Sequence, residues 1–220
     1  MFGRSVGVGV IVSICIFVLF GSPSHPRVAT SSPKAALLAE TQTVVKQSLP
    51  RRFPEVSHKV FFGIESPQAW KTIVFHHSAT TAGSAAAFDN YHRQTLGDPK
   101  GIKYHFVIGN GNGAADGLIE ITNRWRQQDD AAHLFHPDNA PDSIAICLVG
   151  NFESTRPTQA QLASASRLAY VLMRRFDIPL SRVLTHRMVD EDATVCPGRY
   201  FPIDTLVQSL ATWSLTNSTN

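Results

Sequence analysis

A histidine and a cysteine ten residues apart bracket a polar stretch, Thr185-His186-Arg187-Met188-Val189-Asp190-Glu191-Asp192-Ala193-Thr194-Val195-Cys196-Pro197-Gly198. Imidazole nitrogen and thiolate sulfur are donors that zinc takes in a tetrahedron, and a catalytic site leaves one corner of it for water. A third protein ligand should then come from far upstream. The segment Ile73-Val74-Phe75-His76-His77-Ser78-Ala79-Thr80 offers one. Its β-branched, apolar run ends in two histidines and breaks into small residues, the pattern of a strand delivering a side chain at its carboxyl end. Adjacent side chains on a strand point to opposite faces, so one of the two histidines can join the site and the other cannot. Three protein ligands describe an open centre that can activate water, whereas a structural staple would need a fourth.

The elements that must position these residues are legible from residue 70 onward. Residues 71–77 read as a strand and 84–95 as a helix, from the Ala-rich start and the spacing of Phe88, Tyr91 and Leu96. Residues 104–108 and 117–122 read as strands joined around the turn-forming run Gly109-Asn110-Gly111-Asn112-Gly113. The near-continuous apolar run at 143–149 predicts a central strand buried on both faces. Thr158 with Gln161 three residues on forms a capping box, and Leu162, Ala165, Leu168, Leu172 and Phe176 recur at helical spacing behind it. A short edge strand at 181–185 leads into His186, and 202–212 reads as a closing helix. The order predicts an α/β fold, a mixed central β-sheet flanked by helices.

Four stretches stand in the order found in type 2 N-acetylmuramoyl-L-alanine amidases: His76-His77-Ser78-Ala79-Thr80, Tyr104-His105-Phe106-Val107-Ile108, Ser143-Ile144-Ala145-Ile146-Cys147-Leu148-Val149-Gly150-Asn151-Phe152, and His186 to Cys196-Pro197-Gly198. The sequence resembles that family, which includes phage-lysozyme-type amidases and peptidoglycan recognition proteins, over residues 70–212. The resemblance implies the amidase or recognition-protein fold and a zinc ion held by His76, His186 and Cys196, with His77 packing beside it. It implies hydrolysis of the amide between the lactyl group of N-acetylmuramic acid and L-alanine in peptidoglycan. Tyr104 matches the family's catalytic tyrosine, a hydrogen-bond donor to the developing oxyanion or a positioner of water. Thr194 matches a position where relatives carry Lys or Thr and would be a second, uncharged donor. His133 and Asn139 fall where relatives contact the glycan-peptide and are the substrate-binding candidates.

Departures from the family pattern carry information too. Cys147 occupies the position where relatives that cleave anhydromuropeptides inside the cell place a glutamate base, which argues for the tyrosine-assisted branch. Ala145 replaces a glycine, a one-methyl change that bears on packing. The spacing from His186 to Cys196 is slightly long, and the acidic run Asp190-Glu191-Asp192 fills the extension. That run reads as a solvated loop; the alternative makes Asp190 or Asp192 the partner that orients a ligand imidazole. Arg124, Trp125 and Arg126 are candidates for a groove, because sugars stack on aromatic faces and stem peptides carry carboxylates.

The chain has 220 residues, 43% of them hydrophobic, enough for one compact domain with an appendage. Its formal charge is +3, but the basic residues are scattered and form no nucleic-acid groove. Arg4 followed by an apolar stretch at 5–20 is an export signal or an uncleaved membrane anchor, so the expected location is the periplasm or cell envelope. Ile14 before Cys15 argues against lipidation. The expected division is residues 1–24 as signal or anchor, 25–68 as spacer with a helix at 34–49, 69–213 as the zinc amidase domain and 214–220 as tail. A Cys147–Cys196 disulfide is the alternative to one buried strand thiol and one metal thiolate. A second functional reading is a non-catalytic peptidoglycan-binding module of the recognition-protein type, which commonly lacks the cysteine ligand present here.

Overall fold

The computed structural model describes residues 52–191 and 193–216. The expected export segment, the expected spacer up to residue 51 with its helix, Asp192 and residues 217–220 lie outside them. Among the described residues no helix is long and apolar enough to cross a membrane.

Five strands form one sheet in the order β3-β2-β4-β1-β5: β1 (Thr72–His77), β2 (Phe106–Ile108), β3 (Ile119–Ile121), β4 (Ser143–Leu148) and β5 (Val183–Thr185). Strands β2, β4, β1 and β5 run parallel, and β3 pairs antiparallel with β2 at one edge, so the sheet is mixed as expected. Every residue of β1 and β4 is buried, which is why both read as apolar runs instead of alternating ones.

The pleat nevertheless sorts the two faces. Ile73 and Phe75 of β1, Ile144, Ile146 and Leu148 of β4, and Phe106 and Ile108 of β2 enter the main core. The intervening residues, Thr72, Val74, His76, Ala145 and Cys147, point to the opposite face, where the chemistry-bearing side chains collect. The helix α4 (Gln159–Phe176) covers the core face with Leu168, Leu172 and their neighbours, and α6 (Ile203–Thr216) packs beside it through Leu206 and Leu210. The predicted capping box is formed: the Thr158 hydroxyl accepts from Gln161 N, and the Gln161 side chain accepts from Thr158 N. On the other face lies α2 (Ala85–Gln94), started by the Ser84 side chain accepting from Ala87 N. The short α3 (Asn123–Arg126) follows β3, and α5 (His186–Val189) follows β5.

The part of the expected spacer that is described belongs to the folded unit. Residues 54–61 form a helix, α1 (Pro54–Phe61), whose Val56 and Val60 enter the main core. The indole Nε1 of Trp125 donates to the Val60 carbonyl at 2.8 Å. Burial of each valine contributes roughly 1.5 kcal/mol, so this helix is part of the packed domain. Pro54, Gly63 and Pro67 disguise it in the sequence, and eight residues give too few turns for a clear period.

Strand β2 is shorter than expected. Pairing to β4 reaches His105, whose N–H donates to the Ala145 carbonyl, and stops there. Tyr104 lies just outside, its carbonyl accepting from the Thr122 hydroxyl at 2.8 Å. Its side chain is thereby released from the alternation of the sheet.

Candidate metal centre

His76 is the penultimate residue of β1 and projects from the face opposite the main core. His186 opens α5 directly after β5, the strand that pairs with β1 on its other side. The Thr185 side chain accepts from Met188 N, turning the chain at that point. Cys196 comes from a loop pinned at several places. Arg187 N donates to the Cys196 carbonyl at 2.7 Å, and Cys196 N donates to the Thr194 hydroxyl at 3.1 Å. A third tether, Tyr200 N donating to the Phe152 carbonyl at 2.9 Å, needs glycine at 198: its φ is 104°, and a Cβ there would collide with the backbone of Phe152 and Glu153.

The three donor atoms lie within 4.8 Å of one another, and all three residues are buried. The sulfur of Cys196 stands 3.7 Å from His76 Nδ1, and the ring centroids of His76 and His186 are 4.6 Å apart. Donors around a tetrahedral zinc sit about 3.5 Å apart, so the set needs only a small contraction to hold the ion. The remaining ring nitrogens are already engaged. His76 Nε2 is 2.7 Å from His133 Nδ1, and His186 Nε2 is 3.1 Å from Asp190 Oδ2. Each histidine therefore has Nδ1 left for the metal. The residues fit zinc by donor type, spacing and the presence of outer partners.

Protonation favours the same use. Burial, followed by the neighbouring His133 and His186, holds His76 well below the ordinary imidazole range. Burial also lowers His186, although the Asp190 carboxylate opposes it. Both rings are neutral at pH 7.5. The Cys196 thiol is pushed up to about 12 by burial, against the pull of the His77 amide that donates to its sulfur at 3.4 Å. The metal-free protein therefore carries a thiol there, and zinc must displace its proton. Zinc uptake at pH 7.5 is expected to release about one proton, measurable by calorimetry in buffers of different ionisation enthalpy. Uptake with no proton released would remove Cys196 from the ligand set.

Tyr104 stands over the centre, its ring 5.3 Å from that of His76. Its hydroxyl makes no hydrogen bond among the described residues. Burial, with smaller effects from Cys147 and Cys196, raises it well above the ordinary phenol range, so it remains a donor. Thr194 is half-buried, and because its oxygen accepts from Cys196 N its proton is free to be donated. His77 points to the core face, where its Nδ1 accepts from Phe152 N at 3.1 Å. Cys147 and Cys196 are both free.

Two expectations need correction, those for Asp190 and for the pair Arg124 and Trp125, and the two substrate-binding candidates are placed as follows. His133 is buried, with one ring nitrogen against His76 and the other 2.8 Å from the Ser143 hydroxyl. Asn139 is exposed, but its amide donates to the Val189 carbonyl at 3.0 Å and lies 3.4 Å from Asp190 Oδ1; it ties two loops together. Asp190 is not solvated: it is 2% exposed and serves as the partner of His186, while Glu191 is exposed. Its signal was the i, i+4 spacing from His186, hidden in an acidic run that looks like surface. Trp125 and Arg124 lie in the interior, Arg124 donating to the carbonyls of Ile102 and Asp130, and only Arg126 of that trio is exposed.

A parallel-centred sheet with one antiparallel edge, bringing two imidazoles and a thiol together beside a tyrosine, defines an α/β domain with a group of residues that could hold a metal ion. The chain belongs to the N-acetylmuramoyl-L-alanine amidase family, Amidase_2, whose model matches residues 66–199. No curated protein matches it in sequence. Among solved structures it is similar to the endolysin N-acetylmuramoyl-L-alanine amidase LysCS from Clostridium intestinale, with a TM-score of 0.54 and 26% identity over 65% of this chain and 86% of that one. LysC from the same organism gives 0.54 and 26% over 65% and 87%. Bumblebee PGRP-SA gives 0.51 and 21% over 62% and 80%, a likeness of fold.

Proposed function

We propose that the protein is a zinc-dependent N-acetylmuramoyl-L-alanine amidase, exported to the periplasm or cell envelope, that cuts the amide joining the lactyl group of N-acetylmuramic acid to L-alanine in peptidoglycan. One observation supports the reading: the Tyr104 ring stands 5.3 Å from that of His76, whose donor atom lies within 4.8 Å of those of His186 and Cys196, so a phenol and three metal donors share one neighbourhood. When bound, zinc supplies Lewis acidity toward that carbonyl and acidifies water.

The chain's own residues do the rest. Tyr104 donates to the carbonyl oxygen as negative charge develops on it, and Thr194 adds a neutral donor from the ligand loop. His76 and His186 stay neutral, which keeps their lone pairs for the metal. Cys147, in register with His76 on the adjacent strand, is raised well above the ordinary thiol range by burial and takes no part as a base.

A binding module of the recognition-protein type is the second reading, and the presence of Cys196 favours the enzyme over it. Incubating the zinc-loaded full-length protein with muropeptides and following free stem peptide by mass spectrometry separates the two. Release of stem peptide that stops with a chelator and returns with zinc is expected. Muropeptide binding without release would establish the module instead.

A further inference from the structure

The ligand His76 is held from behind by neutral groups, not by a carboxylate. Its Nδ1 faces the Cys196 sulfur, and with the metal taking the Nδ1 lone pair the ring proton resides on Nε2 and is donated to His133 Nδ1 at 2.7 Å. That leaves the His133 proton on Nε2, where it is donated to the Ser143 hydroxyl at 2.8 Å. Given a metal lone pair on His76 Nδ1, no other arrangement of neutral rings satisfies both contacts. Ser143 opens β4 and pairs with Thr72 at the start of β1, so the chain of contacts is anchored in the same two strands that place His76.

The segment that supplies His133 also reaches the other imidazole ligand. Phe135 N donates to Asp190 Oδ2 at 2.8 Å, and its ring stacks on His186 at 5.5 Å and 20°. Asn139 closes the far end through the Val189 carbonyl. Residues 133–139 thus touch the supports of both imidazoles, although the ligands themselves are 110 residues apart in sequence.

We propose that His133 is a positioning residue which, with Ser143 behind it, fixes the tautomer and rotation of His76, and that segment 133–139 is a strap holding both histidine ligands at one spacing. The proposal rests on the metal-centre reading but not on turnover. Outer partners of this kind typically change metal affinity by about 10–100-fold.

The test compares His133→Ala, His133→Asn and Ser143→Ala in the full-length protein. Zinc affinity is measured by chelator competition, and ligand geometry by the visible spectrum of the cobalt(II)-loaded forms. His133→Ala is expected to weaken zinc binding by about 10–100-fold and to alter the cobalt spectrum. Asparagine places an acceptor where Nδ1 was, so His133→Asn should recover most of the affinity and the native spectrum. Ser143→Ala, one step removed, should weaken binding by a few-fold. Folded His133→Ala with native zinc affinity and cobalt spectrum would overturn the proposal, as would alanine and asparagine variants equally impaired. Should the alanine variant fail to fold, native affinity and spectrum in Ser143→Ala together with loss of zinc in His133→Asn would overturn it equally. An unaltered protein that binds zinc tightly yet releases no stem peptide would sink the amidase reading and leave this one standing.

Discussion

Cys196→Ser is expected to abolish stem-peptide release and to strip most zinc from the protein. A serine hydroxyl does not ionise near neutral pH and is a poor zinc ligand, so two imidazoles alone would remain. The loss in affinity should exceed the roughly 10–100-fold that removal of an outer partner brings. The fold should survive, because the loop is tied by backbone groups: Arg187 N to the Cys196 carbonyl and Cys196 N to Thr194. The serine oxygen can also still accept from His77 N. Metal content and thermal unfolding on the same sample check this, and a serine variant with full zinc occupancy and native turnover would end the assignment.

The second large effect is on rate alone. Tyr104→Phe keeps the ring that lies tilted beside His76 and removes only the hydroxyl, which has no partner among the described residues. Zinc content and stability should therefore be unchanged, while kcat falls by roughly 10²–10³, the range for losing one oxyanion donor. Steady-state kinetics on a soluble muropeptide read this directly. Equal kcat in the two proteins would make Tyr104 a packing residue.

What was legible in the sequence followed from how each residue is held. Strand β1, central strand β4 and helix α4 announced themselves through apolar runs and a capping box, signals that local chemistry produces. The ligand trio was legible because histidine and cysteine donors have few other reasons to stand at a strand end and in a polar loop. The outer partners were not. His133 and Asn139 lie on an irregular segment, where polarity suggests contact with solvent or substrate, and only tertiary packing turns His133 inward and ties Asn139 to the Val189 carbonyl. Asp190 hides in an acidic run because burial of a carboxylate beside an imidazole depends on a loop, Phe135 included, 55 residues away. Tyr104 was misplaced by one structural step: the pairing that ends at His105 is decided by the partner strand, which no local pattern reveals.

Strand β1 also raises a question of framing. A slip of one residue in a strand carries every side chain to the other face, and the usual safeguard is an apolar face that resists exposure. Here both faces are buried, so greasiness alone cannot tell the frames apart. Two adjacent histidines sharpen the danger, since a shifted strand would still offer an imidazole to the metal. Polar contacts on both faces proofread the register instead. Thr72 receives the Arg182 guanidinium at 2.7 Å, His76 meets His133, and His77 takes the Phe152 amide on the far side. A strand displaced by one residue would put Lys71 or Ile73 in place of Thr72 and leave an imidazole at only one of the two histidine positions, so the frame that builds the centre is also the one in which every one of these groups finds its mate.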